Sequence, residues 1–303
     1  MSEVMVTLGR RYVRDFPGSF GKGQLAARWL NPHLRDHPRR RVVESLSGAR
    51  FAVDTRDLIQ RYLYLFGVWE PHMTSWLQRR LKPGDGFVDV GANVGVFSVL
   101  ASRLVGDTGR VVAIEASPVF HRMLSRQSRL NNCRNVRAVN AAVSDGHKTL
   151  TFVLASSANM GANSIVPYDG PAESTFEIEA RPLPELLEPA EVETARVIKI
   201  DVEGAEGGVV RGLVPLLDRL RADAEITVEV TPDRMAQLGD CAQELLRTMT
   251  DAGFHVYRLA NDYAPESYPL ALGGTPGVPV RLRGPVTVES DLIFSRVDAE
   301  TLP

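Results

Sequence analysis

Short apolar runs alternating with amphipathic stretches dominate the chain from residue 87 onward. Phe87-Val88-Asp89-Val90 suits a strand buried on both faces, and Arg110–Ile114, Val136–Val139, Val197–Ile200 and Glu225–Val230 repeat the pattern. Helical periodicity fills the gaps. Val94–Leu104 places Val96, Val99, Leu100 and Leu104 on one side, and Phe120–Leu130, Gly208–Arg221 and Gln243–Ala252 read the same way. Phe254–Leu259 and Asp291–Phe294 close the series as strands. Strand–helix alternation of this kind predicts an α/β fold with a doubly wound, mainly parallel sheet.

Two regions break that rhythm. Residues 1–30 read as helical, with Asn31-Pro32 as their expected end. Arg41–Glu44 and Arg50–Val53 flank Ser47-Gly48 as an antiparallel pair. Residues 58–82 read as helical pieces broken at Glu70-Pro71, before Pro83-Gly84-Asp85-Gly86 stops the chain. This divides the protein into an N-terminal extension, 1–80, expected to cap the substrate side, and a catalytic domain, 81–303. Within the latter, Thr149–Leu154 and Thr175–Ala180 alternate like antiparallel strands around Asn159–Ser164, which marks residues 146–183 as a β-rich insertion. The Pro/Gly-rich stretch Asn261–Pro285 reads as a substrate-side loop.

Composition narrows the class. The chain has 303 residues, 44% hydrophobic and 24% charged, enough for one large α/β domain with an appendage. A net charge of −2 argues against a dedicated nucleic-acid binder. The charge is uneven, because residues 1–50 carry ten Lys/Arg against four acids. Two cysteines, Cys133 and Cys241, cannot build a disulfide framework, so a cytoplasmic location is expected. No apolar run reaches the 18 or so residues that span a bilayer, and the N-terminus lacks a secretory pattern, so neither membrane nor export is expected.

The chemistry concentrates in two motifs. In Val88-Asp89-Val90-Gly91-Ala92-Asn93-Val94-Gly95 an acid-bearing strand meets a glycine turn and then a helix. In an open parallel sheet, ligands bind at the carboxyl ends of the strands beside such a turn. The spacing G-x-N-x-G is neither the dinucleotide fingerprint nor a P-loop. An acid before the turn suits an ammonium group, and Glu115, ending the second strand, suits the hydroxyls of a ribose. Together they describe S-adenosylmethionine better than NAD. For each acid alone, helix capping or a loop position is the plainer reading.

The second motif is Val197-Ile198-Lys199-Ile200-Asp201-Val202-Glu203-Gly204-Ala205-Glu206. Asp201 ends the fourth strand, next to the first, and is expected in the same crevice. Glu203 and Glu206 read as first-turn acids complementing a helix dipole or as functional groups. Lys199 lies within a buried strand and needs a partner, for which Glu229 on the fifth strand is the candidate. The six histidines show no metal spacing. Asp201, Glu203 and Glu229 could hold Mg²⁺, but no metal is expected.

The paired motifs resemble the FkbM-type S-adenosylmethionine-dependent methyltransferases over about residues 60–297, with Gly67, Glu70, Ala142-Val143-Ser144-Asp145 and Glu229 as supporting positions. The resemblance implies a class I methyltransferase fold, Rossmann-like, with seven strands and the last antiparallel. It implies that Asp89, Gly91, Ala92, Asn93 and Gly95 line the methionine end, that Glu115 and Ala116 meet the ribose, and that Ala142 borders the adenine. Ala116-Ser117-Pro118 departs from members in which proline directly follows the acid. Asp201 would lie between cofactor and acceptor, as base or as holder of the cofactor amine, with Glu203 and Glu229 as further catalytic candidates.

The expected partner is a small-molecule acceptor, a natural product or sugar methylated on a hydroxyl, with N-methylation as the alternative. An NAD-dependent oxidoreductase and a cofactor-binding module without catalysis stand as readings from other classes. Candidate apolar walls are Trp29, Trp69, Trp76, Tyr168, Tyr263 and Tyr268, for most of which core packing is the plainer fate. A homodimer is carried as an expectation with no residue pointing to it.

Overall fold

In the computed structural model, residues 2–155 and 172–302 are described. Strands β1 (Arg40–Glu44) and β2 (Arg50–Asp54) pair antiparallel, as the sequence predicts. Next come β3 (Gly86–Val90), β4 (Arg110–Ile114), β5 (Val136–Val139), β6 (Ala142–Val143), β7 (Lys148–Ala155) and β8 (Ala172–Arg181). The series ends with β9 (Ala195–Ile200), β10 (Glu225–Val230), β11 (His255–Leu259), β12 (Val280–Arg281) and β13 (Ser290–Ser295).

Among the described residues eight strands form the main sheet in the order β12-β11-β13-β10-β9-β3-β4-β5. Strands β3, β4, β5, β9 and β10 run parallel, and β13 lies antiparallel between β10 and β11. This is the class I methyltransferase arrangement, with the short β12 added at one edge. The predicted insertion strands are present: β7 and β8 pair antiparallel, and β6 joins β8. The stretch Asn159–Ser164 and Tyr168 lie outside the described residues.

Side-chain alternation sorts the sheet into two faces. Val88, Val90, Val112, Ile114, Ile198, Ile200, Ile226 and Val228 pack on one face beneath the helices Glu206–Leu213 and Ala242–Asp251. Phe87, Val111, Val197 and Ile293 point to the other face and share a core with Val6, Leu30, Phe51, Leu63, Phe66 and Trp76 of the N-terminal segment. The same parity puts Asp89, Lys199, Thr227, Glu229 and Asp291 on that second face. The register places Asp89 opposite Lys199, Lys199 opposite Thr227 and Glu229 opposite Asp291. The acids therefore converge where the N-terminal segment covers the sheet.

Two expectations need correction. The chain does not leave its helix at Asn31-Pro32: a π-helical turn at Ala26–Leu30 leads into a helix over Asn31–Asp36. Pro32 is tolerated because it falls in the first turn, where its missing N–H is not needed. The segment Asn261–Pro285 is not all loop, since Tyr268–Gly273 is helical and β12 pairs with β11.

Candidate active site

A cavity of about 520 Å³ opens at the carboxyl ends of β3, β4, β9 and β10. It brings together the sequence-selected Asp89, Gly91, Ala92, Asn93, Glu115, Ala116, Ala142, Asp201, Glu203 and Glu229. Gly95 stands just behind it as the cap of helix Val96–Val105. The N-terminal segment contributes Trp69 and Glu70, the insertion Leu150 and Phe152, and the late loop Tyr263.

The glycine turn forms because three of its residues adopt positive φ: Gly91 at 84°, Asn93 at 50° and Gly95 at 84°. Asparagine is among the few side chains that enter this region readily. Gly91 allows a close approach, since a Cβ there would sit 1.7 Å from the Asp201 carbonyl oxygen. The turn thus rests directly on the second motif, whose Asp201 N–H donates to the Val90 carbonyl at 2.9 Å.

Glu115 is fixed by the turn it faces. The Asn93 and Ser117 N–H groups each donate to one of its carboxylate oxygens, both at 2.7 Å. Burial still raises its pKa to about 7, against those two donors. Asp89 receives the Ser98 hydroxyl at 2.5 Å on Oδ2, while its buried Oδ1 has no partner. Burial pushes this carboxyl up too, and the nearby Lys199 charge opposes the shift.

The expected Lys199–Glu229 pair is replaced by another. Lys199 Nζ donates to Asp201 Oδ2 at 2.7 Å and lies 5.0 Å from the Phe97 ring centre. Asp201 follows Lys199 by two residues on the same face, whereas Glu229 is displaced along a strand that sets Thr227 opposite the lysine. Burial alone would lower the lysine's pKa, but Asp201, Glu70 and Asp89 outweigh it and hold the ammonium charged. Burial likewise raises Asp201, but the Lys199 charge and hydrogen bonds from Glu229 and Lys199 bring it below the ordinary carboxylate value.

Glu229 belongs to a different set. The Tyr263 hydroxyl bonds to Glu229 and lies 3.2 Å from Glu70 Oε1, so a loop residue bridges two acids. Loss of hydration raises Glu229 and Glu70 well above the usual range, and neighbouring carboxylates, including Asp291, push the same way. Glu229 also hydrogen-bonds to Asp201, a contact that pushes its carboxyl the same way. Trp69 stacks on Tyr263 with centroids 5.3 Å apart at 19°. Tyr263 entered the sequence reading only as an apolar wall, and Glu70 only as a supporting position. Their separation of 193 residues leaves no local signal for the contact.

The two glutamates after Asp201 do not share a helical turn. Glu203 has φ 56°, precedes Gly204 and pairs with Arg234, while Glu206 begins the helix. Glu206 instead accepts the Gly204 N–H at 2.8 Å and closes the turn. Among the other expected walls, Trp76 and Tyr268 are core residues and Trp29 is exposed. Among the described residues no group of three or more His, Cys, Asp or Glu is disposed to hold a metal ion.

Glu115 and Glu206, both raised to about 7 by burial, give a first prediction. An acid protonated in the native state but ionised in the unfolded one contributes stability that is present below pH 4.5 and lost as pH rises to about 7. For Glu115 the shift corresponds to about 3 kcal/mol. Thermal melts of the ligand-free protein should show Tm falling between pH 5 and 8, and Glu115→Gln should flatten part of that slope. A slope unchanged in the variant would refute the assignment.

Comparison with known proteins identifies the family. Residues 89–256 match the family described as "Methyltransferase FkbM domain". A hexuronic acid methyltransferase of Haloferax volcanii is 26% identical over 228 residues, covering 73% of this chain and 90% of that protein. Among solved structures, precorrin-6y C5,15-methyltransferase from Geobacter metallireducens GS-15 has 14% identity and a TM-score of 0.42, over 74% of this chain and 87% of its own. An S-adenosylmethionine-dependent O-methyltransferase from Thermotoga maritima has 14% identity and a TM-score of 0.41, over 86% and 79%. With the family match spanning more than half of the sequence, the chain belongs to the FkbM methyltransferases.

Proposed function

We propose that this protein transfers a methyl group from S-adenosylmethionine to a hydroxyl of a sugar or sugar-acid acceptor. The observation that carries the proposal is one cavity lined by a glycine turn flanked by Asp89 and Glu115, by Asp201, and by the stacked Trp69 and Tyr263.

The residues fit the cofactor. Asp89 keeps a buried carboxylate oxygen without a partner, suited to an ammonium group. Gly91, Ala92, Asn93 and Gly95 would hold the methionine end, Glu115 and Ala116 the ribose, and Ala142 the adenine side. The surplus of carboxylates in the cavity favours a cationic ligand. When bound, the cofactor supplies a sulfonium methyl already activated for displacement.

The protein's part is positioning and proton removal. Asp201 stays ionised beside Lys199 and takes the proton from the acceptor hydroxyl. Glu229, held as a neutral acid, donates its hydrogen bond to Asp201 and orients it. Glu203, tied to Arg234, supports the turn after Asp201. Trp69 and Tyr263 offer an aromatic wall to the apolar face of a pyranose. The hexuronic acid named for the Haloferax relative supports a sugar-acid acceptor.

Calorimetric titration with S-adenosylmethionine and its demethylated product should give saturable binding, and Asp89→Ala and Glu115→Ala should each weaken it at least about tenfold, the loss of a charge-assisted contact. No binding by the wild type would overturn the cofactor reading. With hexuronic acids and neutral hexoses as acceptors, the transferred methyl should resist mild alkali, as an ether does. An alkali-labile ester, or transfer only to amines, would overturn the hydroxyl acceptor. Binding without methyl transfer to any acceptor class would support the non-catalytic module.

A further inference from the structure

The N-terminal helix Glu3–Asp15 carries two apolar faces, and among the described residues only one of them is packed. Val6 and Val13 are buried, Gly9 lies against Leu30, and Arg10 and Arg14 reach inward to the carbonyls of Tyr64 and Glu44. On the opposite side Val4, Leu8, Tyr12 and Phe16 follow one another at four-residue spacing, with Met5 beside them, so they form one stripe. Val4, Met5, Leu8 and Phe16 are 57–66% exposed. The Tyr12 hydroxyl donates to the Phe20 carbonyl, which places Phe20, 92% exposed, at the stripe's end. Phe16, Phe20 and Trp29 are the exposed Phe and Trp side chains among the described residues.

Arginines lie beside the stripe and near its start. Arg11 lies along it, exposed and outside every ion pair among the described residues. Glu3 at its start pairs with Arg39, which is followed by the exposed Arg40, paired with Asp54, and the exposed Arg41. The two acids of the helix, Glu3 and Asp15, are each paired with an arginine. Residues 1–50 carry six more basic than acidic residues, while the remainder carries eight more acidic than basic. The apolar stripe therefore lies in the basic part of the chain.

We infer that this face docks the protein on an anionic lipid bilayer surface. Exposed aromatic and aliphatic side chains rimmed by arginine are the requirements for a helix lying in a headgroup region, where apolar insertion and attraction to anionic lipid act together. A second copy of the same face would bring two strongly basic segments together, so charge complementarity favours the lipid. No helix of the described residues is long and apolar enough to cross a membrane, so the contact is peripheral. The inference does not depend on the methyl acceptor.

The experiment is co-sedimentation of the full chain with vesicles of mixed phosphatidylglycerol and phosphatidylcholine, against phosphatidylcholine alone. The wild type should pellet with the anionic vesicles, and high salt should weaken the binding. The combined variant Leu8→Ser, Phe16→Ser, Phe20→Ser should bind at least about tenfold more weakly while keeping the wild-type melting temperature. Arg11→Glu, which removes no apolar area, should weaken binding to the anionic vesicles alone. Failure of the wild type to pellet, or equal pelleting by the serine variant, would overturn the inference. So would a wild-type dimer that the serine variant abolishes, without vesicle binding by either.

Discussion

Asp201→Asn is expected to lower turnover by about 10²–10⁴-fold at saturating cofactor and acceptor, the contribution of a positioned general base. Its affinity for S-adenosylmethionine should change little. The proposed role of base, in place of holder of the cofactor amine, rests on two observations. Lys199 occupies Oδ2 and cancels much of the charge that an ammonium ligand would seek, whereas Asp89 offers a buried oxygen with no partner. A base needs to be ionised at working pH, and Lys199 secures that. Because the Asp201 carboxyl lies below its ordinary value of 3.8, its ionised form persists as pH falls, and it is lost only at more acidic pH. The wild-type rate should therefore show no Asp201-dependent fall between pH 8 and 5. Stopped assays at saturation, paired with calorimetry, distinguish the outcomes. A variant with intact turnover and a much larger Kd for the cofactor would make Asp201 the amine holder and remove it from proton transfer.

The sequence carried the sheet well because burial on both faces leaves little freedom of interpretation. Runs such as Val88–Val90 and Ile198–Ile200 have no solvent-side residues to blur their pattern, and the acids that interrupt them mark the ligand edge. The parity that places Asp89, Lys199 and Asp291 on one face was implicit in those runs, but only the strand register shows which neighbours meet. Without the register, Lys199 reads as the partner of Glu229 on an adjacent strand and not of Asp201, two residues on. Contacts made by chain segments far apart were not legible at all. Glu70 is held with φ 42° at the start of a helix, and Tyr263 lies in an irregular segment, so neither carries a periodic signal. Their meeting over Glu229 depends on how the N-terminal segment and the late loop fold across the sheet. Glu203 shows the opposite failure. An acid just before a helical run reads as part of its first turn, yet the positive φ at Glu203 and Gly204 delays the helix to Glu206.

Gly91→Ala should be the most damaging single-methyl change in the protein. Glycine adopts a φ of 84° without penalty, whereas alanine in the left-handed region costs about 1–2 kcal/mol. The added methyl would also lie 1.7 Å from the Asp201 carbonyl oxygen, far inside contact distance, and that oxygen belongs to backbone with no side-chain freedom to yield. Overpacking of this kind costs about 1–3 kcal/mol more when the surroundings can shift. Relief of the clash requires the glycine turn and the end of β9 to move apart. Asn93 would move with the turn and loosen its N–H bond to Glu115, while Asp201 would lose its bond to Val90. The variant should therefore melt several degrees lower and lose most of its affinity for S-adenosylmethionine, with turnover falling as well. Gly106→Ala supplies the control. That residue also has positive φ, at 64°, but a Cβ there meets nothing within 4 Å, so only the backbone penalty applies and cofactor binding should persist. Equal cofactor affinity in Gly91→Ala and wild type would mean that the two motifs are not mechanically joined at this contact, and that the ligand-binding turn holds its shape without the backbone of Asp201 behind it.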